Sequence, residues 1–106
     1  MNTSGFIFVD VDDTLVRSFG SKRIPMASMV ELVKQLKQKG ATMYCWSSGG
    51  ADYARSSAQE LGLEDCFLGF LPKPNILLDD VKFSKWRVTE LHPNECISMG
   101  EDLLGK

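Results

Sequence analysis

Three aspartates within four positions follow a short apolar run near the start of the chain. The stretch FIFVDVDDTLV places Asp10, Asp12 and Asp13 directly after the apolar residues 6–9. In extended backbone, Asp10 and Asp12 point to the same side, about 6.6 Å apart along the strand. Two carboxylates so close cannot both ionise freely unless a cation lies nearby. The pair therefore suits one ionised nucleophile beside one proton-carrying carboxyl group, although a lone Asp-x-Asp is more often a turn or a helix cap.

Further polar groups follow other apolar runs of the sequence. Ser47 and Ser48 precede two glycines and a predicted helix, where hydroxyls and free backbone N–H groups bind phosphate. A serine N-cap explains that pattern equally well. Lys73 stands between two prolines, which restrict the backbone, and it could neutralise a phosphoryl oxygen. Asp79 and Asp80 add carboxylates of the kind that hold Mg²⁺ together with substrate phosphate, although an acidic loop facing solvent would also account for them. This set of groups is typical of phosphoryl transfer.

The predicted elements around these residues alternate between strand and helix. We expect strands at residues 6–9, 41–46, 66–71 and 75–80, and helices within residues 24–40 and 51–62. Residues 16–23 are expected to form a loop or small flap, residues 83–91 a helix, and residues 95–99 a short edge strand. The unalternated run at residues 6–9 is typical of a strand buried on both faces.

This order of elements predicts the fold class. Strands joined through helices form right-handed βαβ units and a parallel sheet. We therefore expect an α/β protein with a three-layer, Rossmann-like parallel sheet and helices on both faces. Ligands bind such sheets beyond the carboxyl ends of the strands, which is where the polar groups above are predicted to meet.

The motif Asp10-Val11-Asp12-Asp13-Thr14 resembles the first motif of the haloacid dehalogenase superfamily, whose phosphatases begin with a strand that ends in Asp-x-Asp-x-Thr. The resemblance implies that Asp10 is the nucleophile. It also implies that Asp12 is the general acid and base, with its backbone carbonyl on Mg²⁺, and that Thr14 holds the motif loop in shape. Dehalogenases of the superfamily lack an acid at the position of Asp12, so its presence points to phosphate chemistry.

The later motifs of that superfamily also have counterparts here, in the same order. Ser47, with Ser48 as the alternative, resembles the second motif, and Lys73, which precedes a proline, resembles the third. These residues would bind the phosphoryl group. Asp79 and Asp80 resemble the acidic fourth motif, and Asp80 is the favoured metal ligand of the two. The implied metal ligands are therefore Asp10, Asp12 and Asp80 or Asp79.

The segment between Thr14 and Ser47 is mostly one predicted helix and leaves no room for a cap domain. The resemblance thus implies a cap-less, HAD-like protein whose substrate is a small or macromolecular phosphate compound, or one in which a second copy supplies a lid. Arg17, Lys22 and Arg23 could meet the substrate's anionic groups, or they could form a solvated loop.

Length and composition limit the remaining possibilities. The 106 residues are expected to form one domain, residues 1–106. A net charge of −2 argues against broad binding of nucleic acid. Three cysteines without a Cys-x-x-Cys pair favour reduced thiols. We see no signal peptide and no run of membrane-spanning length, so we expect a cytoplasmic protein that does not bind membranes.

These observations favour a Mg²⁺-dependent phosphomonoester hydrolase that works through an aspartyl-phosphate. The alternative is a non-catalytic, HAD-like binding or regulatory module. Ser84 and Lys85 stand where many members of the superfamily carry a further acid, and this favours the alternative. Transfer of the phosphoryl group to an acceptor other than water stays open as well.

Overall fold

The computed structural model describes residues 5–99 of the chain. Within this part, a parallel sheet of three strands has the order β1-β4-β5, and a separate antiparallel pair is formed by β2 and β3. The strands are β1 (Phe6–Asp10), β2 (Val16–Phe19), β3 (Lys22–Pro25), β4 (Thr42–Ser47) and β5 (Gly69–Pro72). The predicted loop or flap after the first strand is thus a β-hairpin.

The helices are α1 (Ala27–Gln38), α2 (Ala51–Glu60) and α3 (Pro93–Met99), with 3₁₀ turns at Glu64–Cys66 and Phe83–Lys85. The first two confirm the predicted helices. Helix α1 buries Met29, Leu32, Val33 and Leu36, which recur at helical spacing. It ends before Gly40, whose φ of 90° is the left-handed conformation that commonly terminates a helix. No described helix has the length and apolar character needed to cross a membrane.

The three parallel strands pair in a register that aligns their carboxyl ends. Asp10 of β1 pairs with Trp46 of β4, and Ser47 of β4 pairs with Pro72 of β5. Val9, Met43 and Cys45 of these strands belong to one buried core with the apolar sides of α1 and α2. The described part of the chain is therefore a small α/β protein built on a parallel sheet.

The prediction that β1 is buried on both faces is wrong. Phe6 is 71% exposed and Phe8 is 44% exposed, whereas Val9 on the opposite face is buried. Phe8 packs on Tyr44 and Trp46, with ring centroids 5.2 and 4.8 Å apart. Because all residues of this run are apolar, the sequence carries no alternation that distinguishes its two faces.

Residues 75–80, all of them described, form no strand, so that prediction is wrong. A further parallel strand needs a crossover of about a dozen residues or more, and only Lys73 and Pro74 lie between the end of β5 and residues 75–80. The run lies on the surface without strand pairing, with Ile76 and Leu78 exposed to 81% and 94%.

The C-terminal predictions also differ from the structure. Residues 83–91 contain a 3₁₀ turn instead of a helix, and residues 95–99 lie in α3 instead of an edge strand. The backbone N–H of His92 donates to the carboxylate of Glu95 over 2.8 Å, as in a capping box. Pro93 occupies the first helical position, where its missing N–H costs nothing. The sequence His-Pro-Asn-Glu is thus a helix start that outweighs the β-prone residues after it.

Candidate active site

The loop after β1 is a tight coil that holds the aspartates in place. The backbone N–H groups of Thr14, Leu15 and Val16 all donate to the carbonyl of Val11, over 3.2, 2.8 and 3.1 Å. The side chains of Val11 and Leu15 are buried in the core beneath the loop. Asp13 completes the coil in the left-handed region, with a φ of 62°, and its N–H donates to the carbonyl of Val16 over 2.7 Å.

The carboxylate of Asp10 lies between a cation and a hydroxyl. Nζ of Lys73 is 3.0 Å from Oδ1 of Asp10, and the hydroxyl of Thr14 donates to Oδ2 over 3.2 Å. Both side chains of the ion pair are partly exposed, 29% for Asp10 and 38% for Lys73. The carboxylate is therefore held in one orientation while it stays accessible to a substrate from solvent.

Lys73 directly follows β5, which lies on the other side of β4 from β1. Its backbone N–H donates to the carbonyl of Ser47 over 2.9 Å, which continues the pairing of β5 with β4 by one residue. The prediction that polar groups meet at the carboxyl ends of the parallel strands is confirmed for Asp10, Ser47 and Lys73. It is wrong for Asp79 and Asp80, because no strand ends there.

Ser47 is almost fully buried, with 1% of its surface exposed. Its Oγ accepts a hydrogen bond from the N–H of Gly49 over 2.9 Å, and its carbonyl accepts one from Gly50 over 3.1 Å. Ser48 is exposed. The alternative in which a serine caps α2 is wrong, because the N-cap is Gly50, and no side chain caps the helix there.

Asp12 contacts α2 through a residue that no motif singled out. The hydroxyl of Tyr53 donates to Oδ1 of Asp12 over 2.7 Å. The ring of Tyr53 also packs on the loop after β4, since a Cβ added at Gly49 would lie 3.1 Å from the ring. The one signal in the sequence is the position of Tyr53 in the first turn of the helix that follows the glycine pair.

Arg23 of the hairpin has its donors directed at α2. Its Nη1 donates to the hydroxyl of Tyr53 over 2.7 Å, its Nη2 to Oγ of Ser57 over 3.0 Å, and its Nε to Oε1 of Glu60 over 3.1 Å. The hydrogen bonds with Tyr53 and Glu60 raise the pKa of Arg23. Arg23 thus holds the hairpin against α2, so the alternative of a solvated loop is wrong for this residue. Contact with a substrate stays a prediction.

Cys45 lies in the core and is unsuited to be a nucleophile. Burial, with a smaller contribution from the charge of Asp10, raises its pKa to about 12. Its thiol is fully buried and directed at the carbonyl of Ala54, 4.0 Å away. All three cysteines, at positions 45, 66 and 96, are free thiols, as predicted.

Asp79 and Asp80 lie on the exposed segment after Lys73. Oδ1 of Asp79 accepts a hydrogen bond from the N–H of Val81 over 2.8 Å. Within residues 5–99, no group of three or more acidic, histidine or cysteine side chains is arranged to hold a metal ion. Mg²⁺ usually binds through one or two carboxylates with water and substrate phosphate. The carboxylate of Asp10 and the backbone carbonyl of Asp12 are oxygen ligands of the kind it takes, at the end of β1. The ligand roles of Asp10, Asp12, Asp79 and Asp80 stay predictions.

No protein-family model matches the chain, and neither a curated protein nor a solved structure shows significant similarity to it.

Proposed function

We propose that the protein is a Mg²⁺-dependent phosphomonoester hydrolase of the HAD type, which works through an aspartyl-phosphate at Asp10. The observation that carries the proposal is the carboxylate of Asp10, held by Lys73 at 3.0 Å and Thr14 at 3.2 Å at the open end of a parallel sheet. Each carboxylate oxygen keeps a second lone pair for attack on phosphorus. The three-layer, cap-less architecture belongs to the same proposal.

In the first step, a lone pair of an Asp10 carboxylate oxygen attacks phosphorus, and the bond from phosphorus to the leaving oxygen breaks. The leaving oxygen keeps the bonding pair and takes a proton from the carboxyl group of Asp12. Lys73 offers positive charge to the phosphoryl oxygens, and the hydroxyl of Ser47, with that of Ser48 as the alternative, offers a hydrogen bond.

In the second step, the carboxylate of Asp12 takes a proton from water, and the water oxygen attacks phosphorus. The bond between phosphorus and Asp10 breaks, and its electron pair returns to the carboxylate. The carboxylate of Asp10 and the backbone carbonyl of Asp12, with Asp80 or Asp79, would hold Mg²⁺, and the ion would supply positive charge to the phosphoryl oxygens.

Access to the site supports a broad substrate class. The side chains of Asp10 and Lys73 are partly exposed, and Asp12 is exposed as well. An open site of this kind admits the phosphate of a bulky or macromolecular substrate, or the face of a second copy that closes over a small one.

The test is phosphate release from phenyl phosphate in the presence of Mg²⁺ or of a chelator. We expect release with Mg²⁺, none with the chelator, and none from Asp10→Asn. Asp65→Asn, at an exposed aspartate in the 3₁₀ turn after α2, is the matched control and should keep wild-type activity. Acid quenching during turnover, followed by mass spectrometry, should place a phosphoryl group on Asp10.

Turnover by Asp10→Asn would exclude Asp10 as the nucleophile. A wild-type protein that binds Mg²⁺ and phosphate without turnover would favour the non-catalytic module.

A further inference from the structure

A continuous chain of hydrogen bonds runs from the hairpin to Asp12. Arg23 Nη1 donates to the hydroxyl oxygen of Tyr53 over 2.7 Å, and the same hydroxyl donates to Oδ1 of Asp12 over 2.7 Å. The three residues come from β3, α2 and the loop after β1. The hydrogen bonds therefore link strand β3 and helix α2 to one carboxyl oxygen of Asp12.

The available protons determine the direction in which these hydrogen bonds are donated. A guanidinium group has no acceptor, and a tyrosine hydroxyl has a single proton. Because Arg23 donates to the phenolic oxygen, that proton cannot point back at Arg23 and is directed at Asp12. One lone pair of Oδ1 is thus occupied by the hydrogen bond from Tyr53, whereas Oδ2 accepts no hydrogen bond from the residues that the structure describes.

Arg23 and Tyr53 are themselves held in place by further contacts. Arg23 has further hydrogen bonds to Ser57 Oγ at 3.0 Å and to Glu60 Oε1 at 3.1 Å, and its guanidinium carbon lies 5.4 Å from the ring centroid of Tyr53. The ring of Tyr53 packs on Gly49. The hydroxyl of Tyr53 therefore has little freedom to leave Asp12.

We infer that Tyr53 is a positioning residue for the reaction proposed above, and that Arg23 acts through Tyr53. Tyr53 holds the carboxyl group of Asp12 in the rotamer that presents Oδ2 to the leaving oxygen. This inference rests on the proposed function, because it assigns Asp12 the transfer of a proton to the leaving group.

The inference predicts a dependence on the leaving group. Phenolate from phenyl phosphate is basic and needs a proton as it departs, whereas dinitrophenolate departs without one. A variant that misorients Asp12 should therefore lose rate with phenyl phosphate and keep it with dinitrophenyl phosphate. The ratio kcat/KM isolates proton transfer to the leaving group. It reports only the steps up to formation of the aspartyl-phosphate and is independent of the later hydrolysis.

The experiment measures kcat/KM for both substrates with the wild type, Tyr53→Phe and Tyr44→Phe. Tyr53→Phe should lower kcat/KM for phenyl phosphate on the order of 10-fold, below the 10²–10⁴-fold of a lost general acid. For dinitrophenyl phosphate we expect a change of less than about 2-fold, since no proton transfer is needed there. Tyr44→Phe removes a hydroxyl from β4, where the ring stacks on Phe8, and should leave both values unchanged.

Arg23→Met tests the second part of the inference. Alone, it should lower kcat/KM for phenyl phosphate several-fold, and in the Tyr53→Phe background it should add nothing, because both changes interrupt the same chain. Thermal midpoints of all variants identify any that fail to fold. Arg23→Lys, which keeps a donor at this position, should recover part of the loss.

The results distinguish a positioning role of Tyr53 from a purely structural one, and both from failure of the proposed function. A selective loss with phenyl phosphate supports Tyr53 as the residue that positions Asp12. Equal losses with both substrates, or no loss, overturn the inference while the proposed function stands. A wild-type protein inactive on both substrates removes the proposed function, and this inference with it. Additive effects of Arg23→Met and Tyr53→Phe overturn the role of Arg23 alone.

Discussion

The ammonium group of Lys73 lies 3.0 Å from Oδ1 of Asp10, although β5, which Lys73 follows, and β1, which Asp10 ends, are not neighbours in the sheet. Strand β4 stands between them, and its last residue, Ser47, accepts a hydrogen bond from the backbone N–H of Lys73 over 2.9 Å. The lysine side chain thus crosses the end of β4 to reach the aspartate. Any phosphate that approaches Asp10 meets a cation already placed beside it.

Replacement of Lys73 by methionine should weaken phosphate binding much more than stability. The variant should show an inhibition constant for inorganic phosphate higher by about 10-fold or more, because it loses a charge-assisted contact of about 1.5–3 kcal/mol. The free energy of unfolding should change by only about 0–1 kcal/mol, as is typical of partly exposed ion pairs. Product-inhibition kinetics and urea denaturation measure the two quantities.

Lys82→Met is the matched control, because Lys82 is exposed on the segment after Asp80. Its inhibition constant should equal that of the wild type. An equal weakening in both variants would mean that general surface charge, and not the position of Lys73, governs phosphate binding.

The left-handed backbone at Asp13 should make this position sensitive to side-chain shape. Asp13 is the one non-glycine residue with positive φ among residues 5–99. Asp13→Val should lower the free energy of unfolding by about 1–3 kcal/mol, because a β-branched side chain strains this conformation. Asp13→Asn should be within about 0.5 kcal/mol of the wild type, since asparagine tolerates it. Urea denaturation at neutral pH compares the two, and equal stabilities would show that the loop relaxes to another conformation.

Burial of Cys45 predicts a loss of stability at alkaline pH. Burial raises its pKa from an ordinary 9.0 to about 12, so between these values the unfolded chain releases a proton that the folded chain keeps. The unfolded state then binds fewer protons, and the free energy of unfolding falls as pH rises, by up to about 1.4 kcal/mol per pH unit. Below pH 9 this residue should have little effect.

The measurement is urea denaturation of the wild type and Cys45→Ala at several pH values from 7 upward. Cys45→Ala has no thiol at this position to titrate. Its free energy of unfolding should therefore fall less steeply than that of the wild type above the ordinary thiol pKa. Burial also raises the pKa of Cys66 and Cys96, so a smaller slope remains. Parallel curves for the two proteins would contradict the assignment to Cys45.

Local signals in the sequence were sufficient to predict the secondary-structure elements that form from neighbouring residues. Helix α1 followed from apolar spacing between Pro25 and Gly40, because both the buried side and the ends of a helix are encoded within one stretch of chain. The placement of Asp10, Ser47 and Lys73 together followed as well. In a parallel sheet, the residues that end the strands must share one edge, whatever the details of packing.

Tertiary structure decided the features that depend on residues distant in the sequence. The contact of Tyr53 with Asp12 and Arg23 depends on how α2 and the hairpin lie against the first loop, and no spacing within the chain specifies it. The apolar run at residues 75–80 had the composition of a strand, yet the short connection after Lys73 left it unpaired. A strand requires a partner within reach of the chain, whereas a helix satisfies its own backbone. The sequence by itself therefore determined α1 and the residue types at the strand ends, and only the folded structure decided which distant side chains surround Asp12.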